Sequence, residues 1–490
     1  MLIRLFALFC VLTSCAFADT DRWYVVEMFG KRAGHMHASQ KSDAGMITTA
    51  SRVAFEMKRG DVAIAITMSG EFVETQDGKP VSMKSVQDMG QMSVTTEVAF
   101  TEGGADITTT QAGNTTKRTQ TIEGTWLTPA AAERYVTQRF KSGAKEIVVR
   151  TMDPSSGVKI ITSTRTIGDA ARIKAMGRDI DVVRSVVETS IAPGIKSTEF
   201  FDSEGILVRS ETNLGGIPLV MTATTQEDAK GPTEHAPPEV FRSTFIRPEH
   251  PITNARGLKR GVYVVSVDEG ELPNFPETGS QKVEVLGPTS ARIRVNAAEF
   301  SPAPAQDATN TAYLAASTTC NTKDERIVEL ASRAVRDLHE SATAADKAEA
   351  CRQYTYRFIK KKSLGVGFAT ATEVARSREG DCSEHGVFLA ALLRANGIPA
   401  RVAAGLVYAD GFAGEEAIFG YHMWTQALLE KDGVMRWVDL DGTLGPSSPY
   451  DATHLTLSIS SLADEEGMES MLSIATALGR LKIKVEEPKP

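Results

Sequence analysis

The stretch from Arg378 to Asn396 constrains the fold more than any other part of the chain. Asp381 and Glu384 stand at capping-box spacing, an acceptor at the N-cap and a carboxylate three residues on. Val387, Phe388, Leu389, Ala391, Leu392 and Leu393 follow with helical spacing in an almost wholly apolar segment. Asn396-Gly397 supplies the stop and Pro399 blocks resumption. A buried helix beginning at Cys382 is therefore predicted. In its first turn, free backbone N–H groups and the positive dipole end favour a thiolate over a thiol. A buried cysteine is more often a small core residue, so only suitable partners make this one a nucleophile.

With 490 residues the chain exceeds what one core supports, and an α+β organisation in several domains is expected. A net charge of −8, with no basic tract longer than Lys360-Lys361-Lys362, argues against a nucleic-acid partner. Residues 1–18 read as a secretory signal: Arg4, the apolar run Leu5 to Leu12, and Ala16-Phe17-Ala18 as a small-x-small cleavage site. Leu12-Thr13-Ser14-Cys15 also has the form of a bacterial lipobox, in which Cys15 would carry a lipid anchor. Either route places the mature chain outside the cytoplasm, in the periplasm, the cell envelope or the medium. Its membrane attachment would rest on Cys15 alone. Cys10 and Cys15 belong to the signal. Cys320, Cys351 and Cys382 then form either one pair plus a free thiol or three free thiols. A Cys320–Cys351 bridge would leave Cys382 reduced, but spacing does not set connectivity.

Residues 19–230 are rich in Thr, Val, Ser and Gly. Strand-like runs such as Val62 to Met68 and Val158 to Thr164 are punctuated by Asp77-Gly78, Gly103-Gly104, Ser156-Gly157 and Glu204-Gly205. This pattern predicts a large antiparallel β domain. One helical insert is expected over Thr128 to Lys141, and a weaker one near Asp169 to Ala175. A β-rich linker region is expected over 231–308, between Lys230 to Pro238 and a second linker at Ser301 to Ala305. A helix-led domain would follow over 309–470. It would contain a helix capped by Thr322 and Glu325, with Ile327 to Leu338 as its stripe, and another over Ala344 to Lys361. A short helix over Thr372 to Ser377 would precede the cysteine helix. Residues 471–490 would be a tail, frayed from Glu486.

Downstream of the cysteine helix, Gly420 to Leu429 reads as a strand, and Asp432-Gly433 as a two-residue hairpin turn. That turn pairs Lys431 with Val434, Gln426 with Asp439 and Trp424 with Asp441. His422, Trp424, Gln426, Trp437, Asp439 and Asp441 then share one sheet face. Asp441 is one diagonal step from His422, and Asp439 is two residues further away. A helix-start thiol, a strand imidazole and a following carboxylate are the parts of a covalent acyl-transfer site.

The same residues resemble a known family. Gly380-Asp381-Cys382-Ser383-Glu384-His385 and Leu392 to Arg401 are similar to the core of bacterial transglutaminase-like proteins. His422-Met423-Trp424 and Trp437 to Thr443 continue the match, over roughly residues 320–450. The resemblance implies a papain-like fold and a catalytic triad of Cys382, His422 and Asp441. Two positions depart from it: Gly442, where Pro or Ala is frequent, and Gln426, where an acidic residue is frequent. A metal site on Cys382, His385 and His422 is disfavoured, because no Cys-x-x-Cys or His-Glu-x-x-His pattern occurs. His385 is expected to hold the cysteine helix. No cofactor and no metal are expected. The resemblance implies cysteine-dependent acyl transfer on a peptide or glutamine amide, by a peptidase, a deamidase or a transamidase. The alternative is an exported binding or scaffold protein with an idle domain of this type.

Overall fold

A computed structural model describes residues 19–489, apart from 60–61, 90–91, 215, 233–235, 269, 271, 365–368, 448–449 and 465–478. The signal segment, with Cys10 and Cys15, lies outside the described residues. The chain is mostly β and divides into two compact units, one ending at Val240 and the other starting at Phe241.

In the first unit, fourteen strands among the described residues form one sheet in which every pairing links sequence neighbours except one. That exception joins Thr20–Met28 to Ile217–Thr224, with Val26 opposite Met221. The whole sheet is therefore two meanders meeting at the first strand. Local hairpins build all of it except that one pairing, and glycines at positive φ, such as Gly78 and Gly103, close its turns. The strand expected over Val62 to Met68 is real, and its faces alternate: Ile64, Ile66 and Met68 are buried, while Ala63 and Ala65 are exposed.

The helix predicted from Thr128 runs from Pro129 to Lys141. Glu74 secures its first turn, accepting from Thr128 Oγ1 at 2.7 Å and from Ala130 N at 2.9 Å. The second insert, expected near Asp169 to Ala175, is not helical. Those residues lie in the strand Ile160–Ala175, paired with Arg178–Thr189 after a bulge between Ile167 and Ala170. The Met176-Gly177 turn, with both residues at positive φ, makes that segment one arm of a hairpin. Pairing across the sheet overrides a weak helical pattern.

The second unit carries two four-stranded sheets. One consists of Gln281–Gly287, Ser290–Asn296, Arg260–Ser266 and Lys482–Lys489, in that order. The segment expected to fray thus ends in a strand: Ile483 is buried and pairs with Val265. Ser301 to Ala305 is likewise not a free linker. Ala303 N donates to Met435 O at 2.8 Å, tying the segment to the other sheet. That sheet has the order Val434–Leu440, Glu415–Lys431, Ala400–Phe412, Leu455–Ser460.

Helices Glu325–Val335, Ala344–Phe358, Ala371–Ser377 and Cys382–Ala395 share one core with this second sheet. The first of them is capped by Asp324 rather than Thr322, and it ends before Leu338. The Asp324 carboxylate accepts from Arg326 N and Ile327 N, satisfying two of the donors at the helix start. In the cysteine helix, Val387, Phe388, Leu389, Leu392 and Leu393 are at most 3% exposed. Each such side chain contributes about 1.5–3 kcal/mol by leaving water. Phe388 stacks on Phe358 at 5.0 Å between centroids, so the helix is pinned between the sheet and its neighbour helix.

Candidate active site

The capping box that starts the cysteine helix is complete. Asp381 Oδ1 accepts from Ser383 N at 2.9 Å, and Glu384 Oε2 accepts from Asp381 N at 2.8 Å. Glu384 also accepts from Ala369 N at 2.8 Å, tying the preceding loop to the helix start. It is fully buried, and burial next to Asp381 pushes its carboxyl well above the usual range. These contacts leave Cys382 as the first helical residue. The residue is partly exposed, and its N–H lies beyond the reach of the helix ladder. His385 holds the same turn from within: its Nδ1 bonds the carbonyl of Asp381, and burial pushes the ring towards the neutral form.

The hairpin register is the predicted one. Asp432 and Gly433 both have positive φ, and Lys431 pairs with Val434, Gln426 with Asp439 and Thr425 with Leu440. The side chains of that face interact as their parity requires. Asp439 Oδ1 accepts from Trp424 Nε1 at 2.8 Å and from Gln426 Nε2 at 2.7 Å, while its Oδ2 accepts from Ser280 N at 2.9 Å. Asp439 is therefore committed to holding the scaffold.

Asp441, just past the end of its strand, meets His422, with 2.8 Å between Nε2 and Oδ2. Its Oδ1 is fixed by the N–H and hydroxyl of Thr443, each at 2.7 Å. The Cys382 side chain lies close enough to the His422 ring to help raise it. With Nε2 used by Asp441, Nδ1 is the nitrogen left for the sulfur. Burial disfavours the charged ring, but Asp441 and then Cys382 outweigh it and lift His422 to about 9. Burial opposes the Asp441 charge too, yet the two histidines facing it hold its carboxyl well below the usual range. Cys382, His422 and Asp441 are thus brought together, with the ring bonded to the carboxylate and the Cys382 side chain beside it.

Both departures from the family pattern have local causes. A Cβ at Gly442 would sit 2.9 Å from Thr355 Cγ2, so a buried threonine fills the space that a larger residue would need. Gln426 donates to Asp439 and accepts from Arg401 Nε at 2.9 Å. A carboxylate in its place could not donate to Asp439. Arg401 lies over the Trp437 ring at 3.8 Å and donates to Thr278 Oγ1 at 2.6 Å, so the amide completes a buried bridge.

Sequence reasoning missed His454. It is fully buried, and its Nε2 approaches the same Asp441 Oδ2 at 3.2 Å. It lies just before the strand Leu455–Ser460, which reaches the site only by pairing with Ala400–Phe412. The Asp451-x-x-His454 spacing is a faint signal at best. His422, Asp441 and His454 bring three donor atoms within 4.8 Å of one another. Both imidazoles approach one carboxylate oxygen, and a cation there would have to displace the protons they direct at it. Cys320 and Cys351 are free thiols, not a bridge. Both are buried core residues, and burial pushes Cys351 up to about 12.

Residues 329–442 match the family model of the transglutaminase-like superfamily, a segment that contains Cys382, His422 and Asp441. No curated protein matches the chain. Among solved structures, a β-barrel-like protein of a domain family of unknown function from Brucella abortus is 13% identical, with a TM-score of 0.34. That likeness covers 43% of this chain and 97% of the other. A candidate cysteine protease from Cytophaga hutchinsonii is also 13% identical, with a TM-score of 0.27, and covers 46% and 82%. A candidate protease from Parabacteroides distasonis is 11% identical, with a TM-score of 0.18, and covers 76% and 68%. At these scores the three likenesses carry no argument about function.

Proposed function

Since residues 329–442 carry a transglutaminase-like core, we propose that the chain is a cysteine-dependent acyl-transfer enzyme that acts on peptide or glutamine amides outside the cytoplasm. One observation carries the reading: Cys382, at the start of a buried helix, adjoins the His422 ring, which bonds the Asp441 carboxylate at 2.8 Å. The signal pattern of residues 1–18 supports the location.

In this mechanism His422 takes the Cys382 proton, and Asp441 stabilises the imidazolium that results. The thiolate attacks the amide carbon, forming a C–S bond while the carbonyl π electrons move to oxygen. The Cys382 N–H is placed to donate to that oxyanion. Collapse of the intermediate expels the amine, which takes its proton from His422, and leaves a thioester. Attack by water gives hydrolysis or deamidation, whereas attack by an amine gives transamidation. We favour a peptidase-like outcome, in keeping with the resemblance of the core. The test compares wild type with Cys382→Ala on a peptide-amide library, with and without added amine, read by mass spectrometry. Products that appear only with the intact thiol support the proposal, and their masses identify the acceptor. Equal behaviour of the two proteins would sink it.

A further inference from the structure

The Asp441 carboxylate serves two imidazoles at one oxygen. Oδ2 is 2.8 Å from His422 Nε2 and 3.2 Å from His454 Nε2. On the far side of the second ring, His454 Nδ1 is 3.0 Å from the Asp451 carbonyl oxygen and 3.5 Å from Asp451 Oδ1. Both ring nitrogens of His454 therefore face oxygen acceptors. A neutral imidazole has one N–H, so one of its lone pairs would point at another lone pair in a site with no solvent exposure. The carboxylates do not lend the missing proton, because their other oxygens already face donors or a cation. Asp441 Oδ1 takes the N–H and hydroxyl of Thr443. Asp451 Oδ1 takes those of Thr453, and Asp451 Oδ2 pairs with Arg256 at 2.7 Å.

We infer that His454 is a positioning residue: a buried imidazolium, clamped between Asp441 and Asp451, that fixes the Asp441 carboxylate for His422 and sets the pH range over which Cys382 and His422 exchange their proton. The inference rests on the acyl-transfer reading of the same site. The charge balance supports it. Burial alone would drive His454 neutral, but Asp451 and Asp441 outweigh that and raise it to about 9. The aromatic wall agrees, with the Tyr450 and Trp424 ring centroids 4.4 Å and 5.1 Å from that of His454. These contacts hold the ring's orientation without supplying an acceptor or a donor to its nitrogens.

The ring centroids of His422 and His454 are 5.7 Å apart. A fixed positive charge at that distance opposes the protonation of His422 and favours the thiolate of Cys382. Asp441 between them works the other way on His422. His385 also senses Asp441, but burial keeps its ring near neutrality. Arg256 reaches the cluster only through Asp451. Removing the His454 charge should therefore raise both proton affinities of the Cys382–His422 pair, by on the order of one pH unit.

The experiment uses the full chain and needs no substrate. Cys382 alkylation by iodoacetamide, located by mass spectrometry, is followed against pH in wild type, His454→Gln and His454→Phe. In His454→Gln an amide can still donate to Asp441 but carries no charge. Its alkylation midpoint is expected to move up by about one unit, and His454→Phe is expected to add a loss of rate at every pH as Asp441 loses its second donor. Wild-type midpoints in both variants, even with lowered stability, would overturn the inference and leave His454 a packing residue. Nitrogen-15 spectra of the wild-type imidazoles give a measurement that does not depend on a variant folding. Two protonated nitrogens on His454 at pH 7 are expected, and one bare nitrogen there overturns the inference. A shifted midpoint in a protein that transforms no amide would fail the acyl-transfer reading alone. An unshifted one in an active enzyme would fail only this inference.

Discussion

Inside the first unit, Arg165 and Glu199 bury one ion pair at 2.7 Å, and Nη1 of that arginine has no partner among the described residues. The second unit buries a run of charge and hydrogen bonds instead, from Arg256 through Asp451, His454, Asp441 and His422 to Cys382. The pair is capped by the Phe201 ring, which lies 5.1 Å from the guanidinium. The run ends on a cysteine that is partly exposed. Burying charge is costly in either place. The difference teaches that burial alone does not identify a site, whereas a buried chain of charge leading to a partly exposed cysteine gives a physical reason to look for one.

The sharpest way to break this comparison is to cut the run at its centre. Asp441→Ala leaves two imidazoles facing a vacated acceptor. Turnover of a responsive amide is expected to fall by roughly 10³-fold or more, as loss of an orienting carboxylate does in other triads. Cys382 alkylation at neutral pH should fall with it. A variant that keeps wild-type turnover would show that the carboxylate is not part of the machinery. The matching cut in the first unit is Arg165→Met. It strands a buried carboxylate and is expected to cost about 3–5 kcal/mol. Urea unfolding of the first unit's core should register that loss while Cys382 alkylation keeps its wild-type pH profile. Replacing both partners, as Arg165→Met with Glu199→Leu, should restore most of the stability.

The two units should also part company with pH. Asp153, in the first unit, is buried and its carboxyl is lifted to about 6 from 3.8. A raised carboxyl means that the native state holds the proton more tightly, so stability falls as pH rises from about 4 to 6. The cost is about 3 kcal/mol for the full shift. His422 is raised from 6.5 to about 9, so what it contributes is complete below about pH 6.5 and is lost as pH climbs through 9. His454 has the same sign and shares Asp441, so the two contributions do not simply add. Hydrogen exchange read separately on the Phe72–Met83 core and on the cysteine helix should show these two windows in that order. A shared window would erase the distinction.

Much of the site was legible because its parts are local. A capping box, a two-residue turn with both residues at positive φ, and strict alternation along two strands place Cys382, His422 and Asp441 by short-range rules. The antiparallel strands of the first unit were legible for the same reason. What escaped depends on distant pairing. Asp169 to Ala175 has a weak helical pattern that the neighbouring strand overrides. The strand Lys482–Lys489 looks like a charged tail until Arg260–Ser266 supplies its partner. His454 reaches Asp441 only because Leu455–Ser460 closes the sheet on its far side. No local spacing reports a carboxylate that accepts from two rings.

The mildest test falls at Gly442, where the close packing of the charged run meets ordinary side-chain volume. The added Cβ of Gly442→Ala would stand 2.9 Å from the methyl of Thr355, which is itself fully buried on the helix Ala344–Phe358. A methyl group can retreat only if that helix shifts, and Arg352 on the same helix donates to the Asp441 carbonyl at 3.2 Å. The expected cost is about 1–2 kcal/mol, the usual scale for overpacking. It should come with a small loss of turnover, because the displaced helix carries the backbone of Asp441 with it. Thr355→Ser removes that methyl and should recover both when combined with Gly442→Ala. A double variant that recovers stability but not turnover would separate the packing of this corner from the orientation of the carboxylate.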